Sequence, residues 1–454
     1  MALKNYPKII VIALVALFAW LSSTWLLTVD VTQQRNNSLS PSTIELLKRI
    51  EGPVVIKAFV TDTDSNKNTH NKLPASQVRK IIKRFINRFK QHKKDITLVL
   101  VDHKQDMQTA TQYGVVTSRA MVIEYKGQSK VLKRLDQYSF IYTLLQLLKN
   151  KKTWIVFIEG HGERSPHQKG NTSLADLGHW LTLRNNTIQT LAIEKYPDVP
   201  KNTQVLVIAS ATKPYSLKAL GAIIRYINHG GNLLWLHDPH NKSGLELLAN
   251  KLGIQIQAGL LVNYNHKQQA TLALILKQFP PNKLTYKLNG HMALFPQVSA
   301  ISASPTSRFK IKTLLKSHPN SWNETNITHK TTKNTLRFDS ASDDQKGPLS
   351  FGLSLTRTLA STSKQQRIIV IGDSDFLSNG FINRGANHSL AMNIFAWLGE
   401  HDELIDVDSP IKSDYLLHFS SWTALLLFIL LGVILPITLI VIGVLYYRRR
   451  LRRV

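Results

Sequence analysis

Three short stretches set acids and histidines directly after apolar runs. Glu159, His161 and Glu163 follow Trp154–Ile158, His237 and Asp238 follow Leu233–Leu236, and Asp373 and Asp375 follow Arg367–Ile371. Unbroken apolar runs of this length read as strands covered on both faces of a parallel sheet. The edge at the C-terminal ends of such strands is where open α/β sheets carry their sites. Acids and histidines converging there could hold a metal or exchange protons. The same residues also stand where turns need them. His161 lies between two glycines, Asp238 precedes Pro239 and Asp373 follows Gly372. Three roles are therefore open for them: acid/base or metal chemistry, a ligand or partner site, and structural capping.

Several chemistries are excluded outright. The chain has no cysteine, so it has no disulfide, thiolate metal site, CxxC redox pair or cysteine nucleophile. Asp373-Ser374 is not a nucleophile elbow, because the G-x-S-x-G pattern is missing. Neither a Walker A sequence nor G-x-G-x-x-G occurs, so the chain is not itself an ATPase or a Rossmann dehydrogenase. No cofactor and no bound metal are expected.

The elements that must position these residues read as a doubly wound α/β domain over 150–409. Leu217, Leu220, Ile223, Ile224 and Ile227 recur at helical spacing. Gly230-Gly231 ends that helix, since glycine accepts the left-handed conformation a C-cap requires. Ser243-Gly244-Leu245-Glu246 is a capping-box pattern opening the next helix, with Leu245, Leu248 and Leu252 on its buried face and Gly253 closing it. Leu174, Leu177 and Leu181 mark a further helix, and Ile188–Ile193 and Val205–Ala209 two more strands. Residues 264–347 are polar and read as an irregular excursion, partly β. A last helix from Asn387 carries Leu390, Ile394, Trp397 and Leu398.

Residues 30–149 form a second α/β pattern. Ser40 is the expected N-cap, with Pro41 at N1, of a helix through Ile44, Leu47 and Ile50. Val54–Val60 and Ile96–Val101 are strands, and Met121–Tyr125 with Lys130–Leu132 a hairpin across Lys126-Gly127. Val78, Ile81, Ile82, Phe85, Ile86 and Phe89 make one face of an amphipathic helix whose other face is basic. The order βαβαββ looks like a thioredoxin-type domain. The loop where such proteins carry redox cysteines holds Thr61-Asp62-Thr63-Asp64 instead.

Both ends are apolar. Ile9–Val29 and Trp422–Tyr447 are free of charge, and each is long enough for a membrane helix. Lys4 and Lys8 precede the first, and Arg448–Arg453 follow the second. By the positive-inside rule both termini, with the basic tail 448–454, are expected in the cytoplasm and the long middle on the far side. The net charge of +28 suits polyanions. The basic residues are scattered without a stacked-aromatic or groove-reading motif, so a solvated basic surface competes with polyanion binding and nucleic acid is not expected.

These motifs together resemble the GldG-like auxiliary components of ABC-type transport systems, named for a gliding-motility protein. The resemblance is carried by Ser38-Leu39-Ser40, Gly160-His161-Gly162-Glu163-Arg164, Gly230-Gly231-Asn232-Leu233-Leu234-Trp235-Leu236 and Asp238-Pro239. It continues through Ser321-Trp322-Asn323-Glu324, Gly347-Pro348-Leu349 and Gly372-Asp373-Ser374-Asp375-Phe376-Leu377, then a span and a basic tail. His237 departs from it, since members often have an apolar residue before Asp-Pro. The resemblance implies a core like that of class I amidotransferases (flavodoxin-like), and partners in a separate ABC ATPase and a multi-span permease. It implies no catalytic residues. With the two spans it implies a two-pass protein of a bacterial inner membrane with a large periplasmic domain. The function expected is a non-catalytic, substrate-binding-like subunit. The alternatives are a hydrolase or metal-dependent enzyme at the sheet edge, and a periplasmic polyanion binder. No substrate is indicated.

Overall fold

A computed structural model describes residues 38–60, 74–102, 106–115, 120–149, 153–239, 241–264, 269–326, 336–360, 363–405 and 421–451. The expected span 9–29 and the Thr61–Asp64 loop lie outside them. The chain forms two units, Met1–Ser409 and Pro410–Val454.

The first unit contains two principal sheets. Helix α1 (Pro41–Arg49) starts as expected, Ser40 Oγ accepting the Thr43 amide at 3.2 Å with Pro41 at the first position. Strands β1 (Val54–Phe59), β2 (Ile96–Val101), β3 (Met121–Tyr125) and β4 (Gln128–Leu132) form a sheet in the order β2-β1-β3-β4. β1 runs parallel to β2 and antiparallel to β3. Lys126 and Gly127, both at positive φ, close the β3–β4 hairpin, the conformation a tight two-residue turn demands. Helix α2 (Ala75–Lys90) buries Ile82, Phe85, Ile86 and Phe89, whereas Ile81, expected on that face, is exposed. α3 (Met107–Gln112) and α4 (Gln137–Lys149) complete this part.

The larger sheet follows. β5 (Trp154–Glu159), α5 (Ala175–Leu183), β6 (Thr187–Ala192), β7 (Thr203–Ala209), α6 (Leu217–Asn228), β8 (Asn232–Leu236) and α7 (Glu246–Leu252) come in alternation. The short strands β9 (Ile254–Ile256), β10 (Leu260–Tyr264), β11 (Ala270–Thr271), β12 (Leu274–Leu276), β13 (Ala293–Phe295) and β14 (Ile301–Ala303) come next. Then follow β15 (Lys310–Lys316), β16 (Trp322–Glu324), β17 (Gln345–Lys346), β18 (Ser350–Thr358), β19 (Gln365–Ile371) and α8 (Asn387–Leu398). Seven strands share the sheet in the order β15-β18-β19-β8-β7-β5-β6. β6, β5, β7, β8 and β19 are parallel, while β18 and β15 extend the edge antiparallel. Strand order reverses at β5, so the right-handed crossovers put helices on both faces. Leu233, Leu234, Trp235 and Leu236 are all buried, as a central strand requires.

Three local expectations are corrected. α7 begins at Glu246 with no side-chain cap; Ser243 is buried, and its carbonyl accepts the Tyr215 amide instead. Leu217, at the first turn of α6, is 82% exposed, because the helix starts there and the sheet it packs on lies farther along. The excursion, expected over 264–347 as irregular and partly β, begins earlier, at Ile254; its β part is larger than expected, built of short antiparallel strand pairs, and it contributes β15 to the main sheet. Strands of two or three residues leave no periodicity to read.

In the second unit α9 (Ser421–Ile429) and α10 (Leu435–Leu451) are joined by a π-helical turn at Leu430–Ile434. No helix among the described residues is long and apolar enough to cross a membrane, so the uninterrupted span expected over 422–447 is not found. Pro436 accounts for the break. It donates no amide hydrogen, and its ring opposes the carbonyl one turn earlier, which the wider π turn accommodates.

Candidate functional site

Register sets the strand ends level. Ala209 and Ile371 both pair with Leu236, and Phe157 pairs with Val207, so Glu159, Ala209, Leu236 and Ile371 stand in one row. The polar residues that follow divide into two networks, and Glu159 joins neither.

The first network surrounds Glu163, whose side chain is wholly buried. One oxygen accepts the His161 amide at 2.6 Å and the other the Tyr215 hydroxyl. The His161 ring stacks on Tyr215 with centroids 4.0 Å apart. His161 Nε2 lies 2.9 Å from Glu194 Oε1, while Nδ1, 3.3 Å from Glu163, lacks hydrogen-bond alignment. Gly160 and Gly162 take positive φ, which lets the turn fold back; a side chain on Gly162 would strike Thr212. Thr212 and Lys213 both donate their amides to the His161 carbonyl at 2.9 Å. Glu194 also accepts the Ser216 hydroxyl and amide at the start of α6. These bonds, Ser216's first and then His161's, hold the Glu194 carboxyl at a pKa of about 2. A depressed carboxylate pKa adds stability above its unfolded value, lost as pH falls toward the folded one. Glu194→Gln is therefore expected to flatten the loss of stability between pH ~4.5 and ~2. Urea midpoints measured across that window check this; an unchanged pH slope would show that Glu194 contributes nothing.

The second network centres on Asp238. Arg164 Nη2 donates to Asp238 Oδ2 at 2.8 Å and to Asp375 Oδ1 at 2.7 Å. Asp238 also accepts the Ser374 amide at 2.6 Å, the Ser374 hydroxyl at 2.7 Å and the Ser210 hydroxyl at 2.5 Å. Burial works against the charge of Arg164, but Asp238 and Asp375 more than offset it and its pKa is raised. Ser210 sits at φ 59, a conformation costly for a residue with a side chain and kept where its surroundings fix it. Asp373 is fully buried. Its Oδ1 accepts the Asp375 amide at 2.8 Å and its Oδ2 has no partner. Burial pushes its pKa well above the ordinary carboxylate value, and the charges of Asp238 and Asp375 add to the rise. Asp373 therefore holds its proton well above the pH at which an exposed aspartate ionises.

These arrangements bear on the roles left open. Asp238 is engaged by donors from three other strand ends, Asp373 is sealed, and His161 is clamped between Tyr215 and Glu194. Among the described residues, no three His, Asp or Glu side chains are grouped to hold a metal ion; Arg164 occupies the place between Asp238 and Asp375. His237 stands apart. Its side chain is partly buried, and that burial lowers its pKa against the pull of Asp238 and Glu246. It lines a groove of about 1140 Å³ that Asn241, Lys251, Gln257, Arg308 and Arg357 also line. Volume and carboxylates thus lie apart: Glu163 and Asp238 are engaged by partners within the fold and Asp373 is buried, while Glu159 stays exposed at its strand end. Sequence reasoning did not single out Glu194, Tyr215, Ser210 and Ser374. Ser210 was findable as the residue after the Val205–Ala209 run, and Ser374 as the neighbour of Asp373. Nothing local marks Glu194 or Tyr215.

A family model described as an ABC-type uncharacterized transport system matches residues 152–397. A second, a domain of unknown function (DUF7088), matches residues 33–134. No curated protein matches the chain. Among solved structures, the mmIFT52 N-terminal domain is 13% identical with a TM-score of 0.39, over 54% of this chain and 97% of that one. A cold-adapted β-galactosidase from Rahnella sp. R3 is 11% identical with a TM-score of 0.32, over 84% of this chain and 49% of that one. Scores this low carry no conclusion for fold or function.

Proposed function

The chain belongs to the ABC-type uncharacterized transport system family, and from that membership we propose that it is a non-catalytic, membrane-anchored, GldG-like auxiliary subunit. In this reading its larger domain recognises a substrate, an envelope component or a partner on the far side of a bacterial inner membrane. The chain has no Walker A sequence, so energy comes from a separate ABC ATPase acting with a multi-span permease. The observation that carries the reading is the family match across the doubly wound sheet. Two features support it. Glu163, Asp238 and Asp373 are engaged or buried within the fold, Asp238 by Arg164 and two serines and Glu163 by His161 and Tyr215. In the second unit Trp422, Leu426, Phe428, Ile437, Ile440 and Leu445 are all exposed, and apolar surface of that extent is stable in lipid or against a partner.

The test is recovery of the tagged full-length chain from native membranes. A permease and an ATPase are expected to co-purify with it. A clean preparation that lacks both would overturn the proposal.

A further inference from the structure

The groove beside His237 has a distinct chemistry along its length. One stretch is basic: Arg308 and Arg357 line it with Lys251. Arg357 is already oriented. Its Nε donates to Gln366, its Nη2 donates to the Ile227 carbonyl at 2.9 Å, and the Phe309 ring lies 4.8 Å from its Cζ. Its Nη1 donates to nothing among the described residues. Burial first, and then the neighbouring charge of Arg308, lower the Arg357 pKa, so the two guanidinium groups stand close enough to repel each other. Among the described residues the acidic one lining the groove is Glu246, and its charge acts on His237. Paired guanidinium groups with unused donors match the forked oxygens of a carboxylate or phosphate. Elsewhere in the lining, Gln257 Oε1 is buried with no hydrogen-bond partner. A buried acceptor is costly until a donor meets it, and a hydroxyl supplies one. The volume suits a ligand of oligosaccharide size.

We propose that this groove binds an anionic saccharide, its carboxylate or phosphate held by Arg308 and Arg357 and a sugar hydroxyl donating to Gln257. This gives the recognition role a site and a ligand class, and it rests on that role only for where the ligand comes from.

The experiment is calorimetric titration of the full-length chain in detergent with tetragalacturonate, with a hexose 6-phosphate and with neutral maltotetraose. At least one acidic sugar is expected to bind, with maltotetraose at least about tenfold weaker, since charge-assisted contacts carry the difference. The acid that binds identifies carboxylate or phosphate as the group recognised. Arg308→Gln, an exposed position, is expected to weaken that binding about tenfold with the urea midpoint unchanged. Gln257→Leu, which removes the acceptor, is expected to weaken it less. Three outcomes each overturn the proposal: no binding of either acid, equal binding of maltotetraose, or acid binding indifferent to Arg308→Gln. Binding is read on the isolated chain, so its failure leaves the co-purification result standing, and a chain that purifies alone leaves the binding result standing.

Discussion

Asp238→Ala is expected to destabilise the first unit by about 3–5 kcal/mol, the range for removing one partner of a buried ion pair. The wild-type carboxylate is 14% exposed and answers Arg164, Ser210 and both donors of Ser374. Alanine would leave Arg164 with Asp375 alone and strand the amide and hydroxyl of Ser374, a residue with no exposed surface. Buried donors without acceptors account for much of the cost. Asp238→Asn keeps an oxygen for the Ser374 amide and loses the charge, so about half the effect is expected. Urea unfolding followed by tryptophan fluorescence reads both, because Trp235 is buried in the strand that ends at this residue. If both variants fall within about 0.5 kcal/mol of wild type, typical of an exposed surface site, the network is not the structural centre described above.

Gly372→Ala is expected to cost about 3 kcal/mol or more, at the upper end for overpacking. An added methyl at this position would lie 2.0 Å from the Ser299 carbonyl oxygen. Neither side has a flexible group to give way. The Gly372 amide donates to the Phe351 carbonyl at 2.8 Å, and the Ser299 amide donates to the Gly372 carbonyl at 2.7 Å. Relief therefore means parting the strand end from residue 299 and turning Asp373 with it. Gly221→Ala in α6 is the contrasting case. There the nearest atom is the tip of Arg225 at 3.3 Å, and helix propensity favours alanine by about 1 kcal/mol. The two substitutions are thus expected to shift the urea midpoint in opposite directions, and the same sign for both would contradict the packing at Gly372.

The strand ends were legible because the residues before them are continuous apolar runs, and a row of such runs in alternation with helices admits few topologies. The Ser40 cap and the Lys126-Gly127 hairpin were legible for a narrower reason: each depends on residues within three positions of one another. What the acids do at the edge was not legible. Arg164 meets Asp238 across 74 positions and Ser374 meets it across 136, and no local pattern links residues so far apart. The same limit explains the Ser243 pattern. Its spacing fits a capping box, but its backbone is engaged by Tyr215, from a segment the pattern does not contain. Leu217 shows the converse, since helical spacing assigns a face and is silent on whether the first turn overhangs the sheet.

The position of β19 has a consequence for the order in which the chain assembles. β5, β6, β7 and β8 are complete by residue 236, yet the free side of β8 pairs with β19, which begins at Gln365. A ribosome thus exposes the central strand of the finished sheet as an open edge while well over a hundred further residues are made. Such an edge is a template for wrong pairing. Until Ser374 emerges, Asp238 and Arg164 also lack two of the donors and the second acid that neutralise them. A charge at the end of an unfinished border strand discourages another strand from adding there, so Asp238, which ties the strand ends together once β19 arrives, also guards β8 beforehand.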